Sequence, residues 1–137
     1  IHFHIYGSKA YLNEHGKPES PRDLQKHCLI GYPESAPQPF ADLNWLFRLA
    51  GVDLEVGFNL LMMNSMYAIH QAVENHAGLA MLPDYLAKES DNLEIVLPDH
   101  QPQPVEMYFV YPEERRHSQR IAIFRDFLLE HVGKTKF

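Results

Sequence analysis

The chain has only one cysteine, Cys28, in 137 residues. It can close no internal disulfide and has no second thiol for chelating zinc, so a reducing cytoplasm is the expected setting. Positive charge is also scarce. Twelve lysines and arginines stand against 18 acidic residues, a formal net charge of -6. That balance argues against the chain itself being a nucleic-acid surface, because neutralising phosphates takes a basic face. No apolar run approaches the roughly 18 residues of a membrane helix, and "IHFHIYGSK" lacks the basic start and apolar length of a signal peptide. No initiating methionine is present, so Ile1 is expected to be a cut end of something longer. A Gly-x-Ser-x-Gly elbow, a phosphate-binding glycine loop and a His-Glu-x-x-His motif are all missing, which leaves no positive sign of an enzyme.

What is present suits one ordinary domain: 45% hydrophobic and 22% charged residues, enough for a packed core. "HFHIYGS" alternates as a strand and stops at Gly7-Ser8. "SPRDLQKH" places Ser20 as N-cap and Pro21 at the first helical position, which predicts a short helix over about Pro21 to Lys26. "CLIGYP" reads as a brief buried strand, and the prolines from Pro33 to Pro39 require a surface loop. "LNWLFRLAG" fits a strand or a helix; a strand around Trp45 to Arg48, turning at Gly51, is the favoured reading. From Glu55 to Met63 another strand is expected, with Val56, Phe58, Leu60 and Met62 on one face. In "NSMYAIHQAVENHAG", Met66, Ile69, Val73 and Ala77 recur at helical spacing, and Gly78 is expected to stop the helix. "LAML" is short and continuously apolar, as a strand buried on both faces should be. A short helix "PDYLAKES", a strand "LEIVLP" and a stiff "HQPQP" linker follow. "VEMYFVYP" reads as a strand. "HSQRIAIFRDFLLEHVGK" reads as a helix capped by Ser118 and ended by Gly133-Lys134, with Ile121, Phe124, Phe127, Leu128 and Val132 as its apolar stripe. Strands and helices alternate, so the expected fold is α/β with a largely parallel sheet flanked by helices.

Nine histidines raise the question of a metal. His2 and His4 share one side of a strand, and His70 and Glu74 lie one helical turn apart, but neither pair has a third ligand near it in sequence. No metal site and no cofactor is expected. His27 and Cys28 are neighbours on a strand and point to opposite faces, so they do not make a base and nucleophile; Cys28 reads as a small buried apolar residue. Arg115, Arg116 and Arg120 sit beside Glu113 and Glu114 as a solvated helix entry. The better site is the junction at Asn64-Ser65. Where a parallel strand ends and a helix begins, free backbone N–H groups point into the crevice at the carboxyl edge of the sheet, where a carboxylate or other polar group can bind.

The run "GSKAYLNEHGKPESPRDLQKHCLIGY", then Trp45 and Phe47, "NSM" opening a helix, "AGLAMLPDYLA", and "VEMYFVYP" leading to "RIAIFRDFLLEHV" together resemble the effector-binding domain of LysR-type transcriptional regulators. The resemblance covers nearly the whole chain. It implies a fold like the type 2 periplasmic binding proteins, in which two α/β subdomains hold a small-molecule inducer between them. Residues 1–100 would be the second subdomain. Residues 101–137 would be the return strand and helix of a first subdomain that is mostly missing. The resemblance also implies DNA binding only through a missing N-terminal winged helix-turn-helix, a homo-dimer or homo-tetramer, no membrane and no catalysis. By the same resemblance the effector site draws on Tyr6, Gly7 and Ser8, on Tyr32 and Pro33, on Asn64, Ser65 and Met66, and on Leu82 and Pro83. The inducer is expected to be polar or to bear a carboxylate. A solute-binding protein of a transporter and an enzyme on the same fold are the alternative readings. The first needs an export signal, and the second needs a cluster of catalytic polar residues.

Overall fold

The computed structural model describes residues 1–35, 42–52 and 58–134. Among the described residues five strands form one sheet in the order β3-β2-β4-β1-β5: β1 Phe3–Ser8, β2 Leu29–Gly31, β3 Leu60–Met62, β4 Leu79–Pro83 and β5 Leu93–Val96. β2 pairs parallel with β3 and β4, whereas β1 pairs antiparallel with both β4 and β5. Four strands therefore point one way and β1 runs back between two of them. The sheet is mixed, and the largely parallel expectation holds for strand direction.

Register sorts the residues onto two faces. Phe3, Ile5 and Gly7 share a face with Leu29, Gly31, Leu79 and Met81; His4, Tyr6 and Ser8 share the other with Ile30, Ala80 and Leu82. On the first face lie α1 (Lys9–His15) and α2 (Trp45–Leu49), whose Leu12 and Phe47 come against Gly7 and Gly31. On the second lie α3 (Met66–Glu74) and α4 (Asp84–Ala87), contributing Ile69, Val73 and Ala87 to the core. All five residues of β4 are buried, as "LAML" predicted. The Ser20 cap is also observed, opening a 3-10 helix over Pro21–Lys26.

Four local expectations need correction. Trp45–Leu49 is helical, because Leu43, Leu46, Phe47 and Ala50 are the buried positions and their spacing fits a helix and not an alternating strand. α3 ends at Glu74 with His76, not Gly78, in the left-handed region at φ 64°. Gly78 is needed for close approach: a β-carbon there would run into the Cys28 carbonyl. The "VEMYFVYP" segment is extended but does not join the sheet; Val105 exchanges backbone hydrogen bonds with Ile1 at 2.7 and 2.9 Å. Of the strand expected over Glu55 to Met63, only Leu60–Met62 is strand, β3 at the sheet edge, with Phe58 outside it; Glu55 and Val56 lie outside the described residues, as do 36–41 of the proline loop.

The final helix, α5, spans Gln119–Lys134. Its stripe is only partly covered: Ile121 and Leu128 are half-buried, while Phe124, Phe127, Leu129 and Val132 are exposed beside an equally exposed Met107 to Val110. Phe109 and Phe124 meet edge to face at 5.6 Å, so the extended segment and the helix pack on each other.

Candidate functional site

The sheet edge where β2, β3 and β4 end gathers most of the expected site. Asn64 and Ser65 are exposed there, Met66 and Pro33 half-buried, and Tyr32, Leu82 and Pro83 buried. Of the expected site residues at this edge, Asn64, Ser65, Met66 and Pro33 are thus the solvent-accessible ones, and the other three lie behind them. Gly7 and Ser8 are not brought to this edge. The register from Phe3↔Pro83 to Tyr6↔Ala80 puts Ser8 roughly 16 Å from Pro83 along the sheet. Ser8 is fully buried, accepts from the Tyr11 N–H to cap α1, and bonds His76 Nδ1 at 2.7 Å. Tyr6 is buried on the α4 side.

Two devices shape the edge. The Asn44 side chain clamps the Tyr32 peptide, accepting from its N–H at 2.9 Å and donating to its C=O at 2.8 Å. A side chain thus completes a strand end as a neighbouring strand would. Gly31 has no β-carbon, which makes room for Asn44 and Phe47. At the start of α3, Ser65 Oγ accepts from the Ala68 N–H at 3.4 Å, and the Met66 N–H faces the Tyr32 phenol oxygen. Burial raises the Tyr32 phenol and that N–H offsets part of the rise. Some of the helix's free donors are thus already engaged by Ser65 and Tyr32.

A second polar cluster borders the same edge. Asp84, 6% exposed, directly follows β4 and takes His4 Nδ1 at 2.7 Å and the Tyr6 hydroxyl at 3.0 Å on one oxygen; Lys88 lies 3.7 Å from the other. Burial, then the Asp84 charge and its hydrogen bond, push the Tyr6 phenol far above its ordinary value. The sequence reading missed Asp84 and Asn44. "LPDYL" shows an acid in a helix's first turn, which is ordinary, and nothing local says that His4 and Tyr6 converge on it. His4 was weighed as a ligand paired with His2, yet its partner is this carboxylate.

Among the described residues no three histidine, cysteine or acidic side chains converge in a way that could hold a metal ion. Cys28 is half-buried, its thiol raised by burial, which lowers its nucleophilicity. His27 is buried beside Tyr11, and its Nδ1 finds no hydrogen-bond partner among the described residues. Burial depresses it below 6.5, the neighbouring His15 and Lys26 add to that, and Asp23 opposes it. The unfolded chain takes up this proton first as pH falls. Stability is therefore complete above about 6.5 and declines below it toward the depressed folded value. Thermal melts from pH 7.5 to 5 should show that decline, and His27→Gln should flatten it; an identical profile for the two proteins would remove His27 as the cause.

Comparison with known proteins speaks to the family and the fold. The family model described as "LysR substrate binding domain" matches residues 2–133. The probable HTH-type transcriptional regulator LtrA of Klebsiella pneumoniae is 33% identical over 87 residues, 63% of this chain and 27% of that protein. The HTH-type transcriptional regulator YhjC of Escherichia coli K12 is 29% identical over 128 residues, 88% of this chain and 41% of that protein. The chain thus spans between about a quarter and two-fifths of these relatives. Among solved structures, the regulatory domain of CrgA, a LysR-type transcriptional regulator from Neisseria meningitidis, superposes with TM-score 0.66 at 20% identity, covering 95% of this chain and 64% of that one. The regulatory domain of AphB in Vibrio vulnificus gives 0.65 at 22%, with the same coverage. At such identities these two speak for the fold.

Proposed function

Because the chain belongs to the LysR substrate-binding domain family, we propose that it forms one wall of a small-molecule effector site in a helix-turn-helix transcriptional regulator. The observation that carries this reading is the convergence of Asn64, Ser65, Met66 and Pro33 on one sheet edge, at the N-terminus of α3 and backed by Tyr32, Leu82 and Pro83. Exposed side-chain amide and hydroxyl groups beside a helix N-terminus favour a polar or carboxylate-bearing inducer. Residues 1–100 act as the second subdomain. Residues 101–137 return to a first subdomain that supplies the facing wall and covers the apolar side of α5. The whole regulator reaches DNA through an N-terminal winged helix-turn-helix, works as a homo-dimer or homo-tetramer in the cytoplasm, and catalyses nothing. The curated relatives are regulators, which favours this reading over a transport protein or an enzyme on the same fold.

Asn64→Ala and Ser65→Ala in the intact regulator test the site. Each should weaken the response to inducer about tenfold, as expected for losing a hydrogen bond to a charged ligand. Dose–response curves that match the parent protein would take both residues out of the site.

A further inference from the structure

Asp84 is a buried carboxylate whose partners come from two places in the chain, residues 2–6 and Lys88. A buried charge is costly to keep, and partners of this kind fix one arrangement of the elements that carry them. Its oxygens hold His4 and Tyr6 on β1 and lie near Lys88 just past the end of α4, while its own N–H donates to the His2 carbonyl at 3.0 Å. Backbone groups of successive strand residues point to opposite edges. His2 therefore faces β4, and Ile1 faces the other way, where it exchanges both backbone hydrogen bonds with Val105. The head of β1 is thus gripped on one edge by the end of β4 and on the other by the segment that leaves the sheet toward α5.

We infer that the Asp84 cluster is a positioning device that couples the Leu82–Pro83 rim to the paired Ile1 and Val105 segments, the two extended segments through which this α/β unit is proposed to join the rest of a regulator. The inference rests on the reading of that rim as effector wall. A change at the rim moves Asp84. Through His2, His4 and Tyr6 it shifts the head of β1, and with it Val105. The cluster's hydrogen bonds run to residues 2–6 and its ion pair to Lys88, so none of these links passes through β2 or β3.

Amide hydrogen exchange on this chain tests the coupling without any effector, so its outcome is independent of whether Asn64 and Ser65 bind one. In Asp84→Asn, exchange at the Asp84 and Val105 amides should quicken about tenfold or more. The Leu79 amide, held by the Cys28 carbonyl, and the Met63 amide, held by Gly31, should keep their parent rates. Tyr6→Phe, which removes one arm and keeps the charge, should give a smaller change with the same pattern and serves alone if Asp84→Asn fails to fold. An unchanged Val105 amide overturns the inference. So does quickening of all four amides together, which is the mark of general destabilisation.

Discussion

Gly78→Ala should cost this chain about 3 kcal/mol or more and lower its melting temperature by about 10 °C or more. The added β-carbon would fall inside contact distance of the Cys28 carbonyl oxygen and within 3.0 Å of the Cys28 β-carbon. That oxygen accepts the Leu79 N–H at 2.8 Å, so neither side can retreat without breaking the join between β2 and β4. The cost is steric, since the close approach alone excludes a side chain. A thermal melt within 2 °C or so of the parent would show that the junction is looser than described. A Gly16→Ala variant makes a useful contrast. Among the described residues nothing lies within 4 Å of its β-carbon, and what resists substitution is its backbone at φ 85° and ψ 157°, a region open essentially to glycine alone, so its loss of about 1–3 kcal/mol is conformational and not steric.

The second large effect concerns association. Met107 to Val110 together with Phe124, Phe127, Leu129 and Val132 present one apolar surface, with Tyr108 76% and Val110 82% exposed. Eight exposed apolar side chains on two adjoining segments mark the kind of surface that a partner ordinarily covers. In the whole regulator the first subdomain is proposed to cover it. Produced without that cover, the chain should associate with itself at tens of micromolar, giving a light-scattering mass of at least about twice 15.9 kDa. Phe127→Glu with Leu129→Glu should return it to a monomer while leaving the far-ultraviolet dichroism unchanged. A parent chain that scatters as a monomer across that range would sink the argument. So would a double variant that still associates.

Much of the architecture was legible because burial writes a period into a sequence. β4 and α3 were found because "LAML" is apolar throughout and Met66, Ile69 and Val73 recur at helical spacing. α2 was misread because the run from Trp45 to Ala50 is too apolar to show its period; the buried positions become clear only once Leu43 and Ala50 are counted with Leu46 and Phe47. The candidate site was legible in part. Asn64 and Ser65 announce themselves as a strand-to-helix junction, a local pattern. The placing of Gly7 and Ser8 failed to meet that junction because β1 runs backward, and strand direction is decided by pairing with residues 79–96, far along the chain. Asp84, His4 and Tyr6 stayed hidden for the same reason. Asp84 lies 80 positions from His4 and 78 from Tyr6, and no local rule joins it to them.

The reversed β1 also governs when this sheet can exist. During synthesis the first strand emerges long before either of its neighbours, and its ladder waits for a loop of roughly 75 residues to close. β2 and β3 can pair earlier, but they gain the centre of the sheet only when β4 slots between β2 and β1. Until residue 96 has left the ribosome, the nascent chain therefore carries an apolar strand with open edges, and it is in that interval that a chaperone has most to protect.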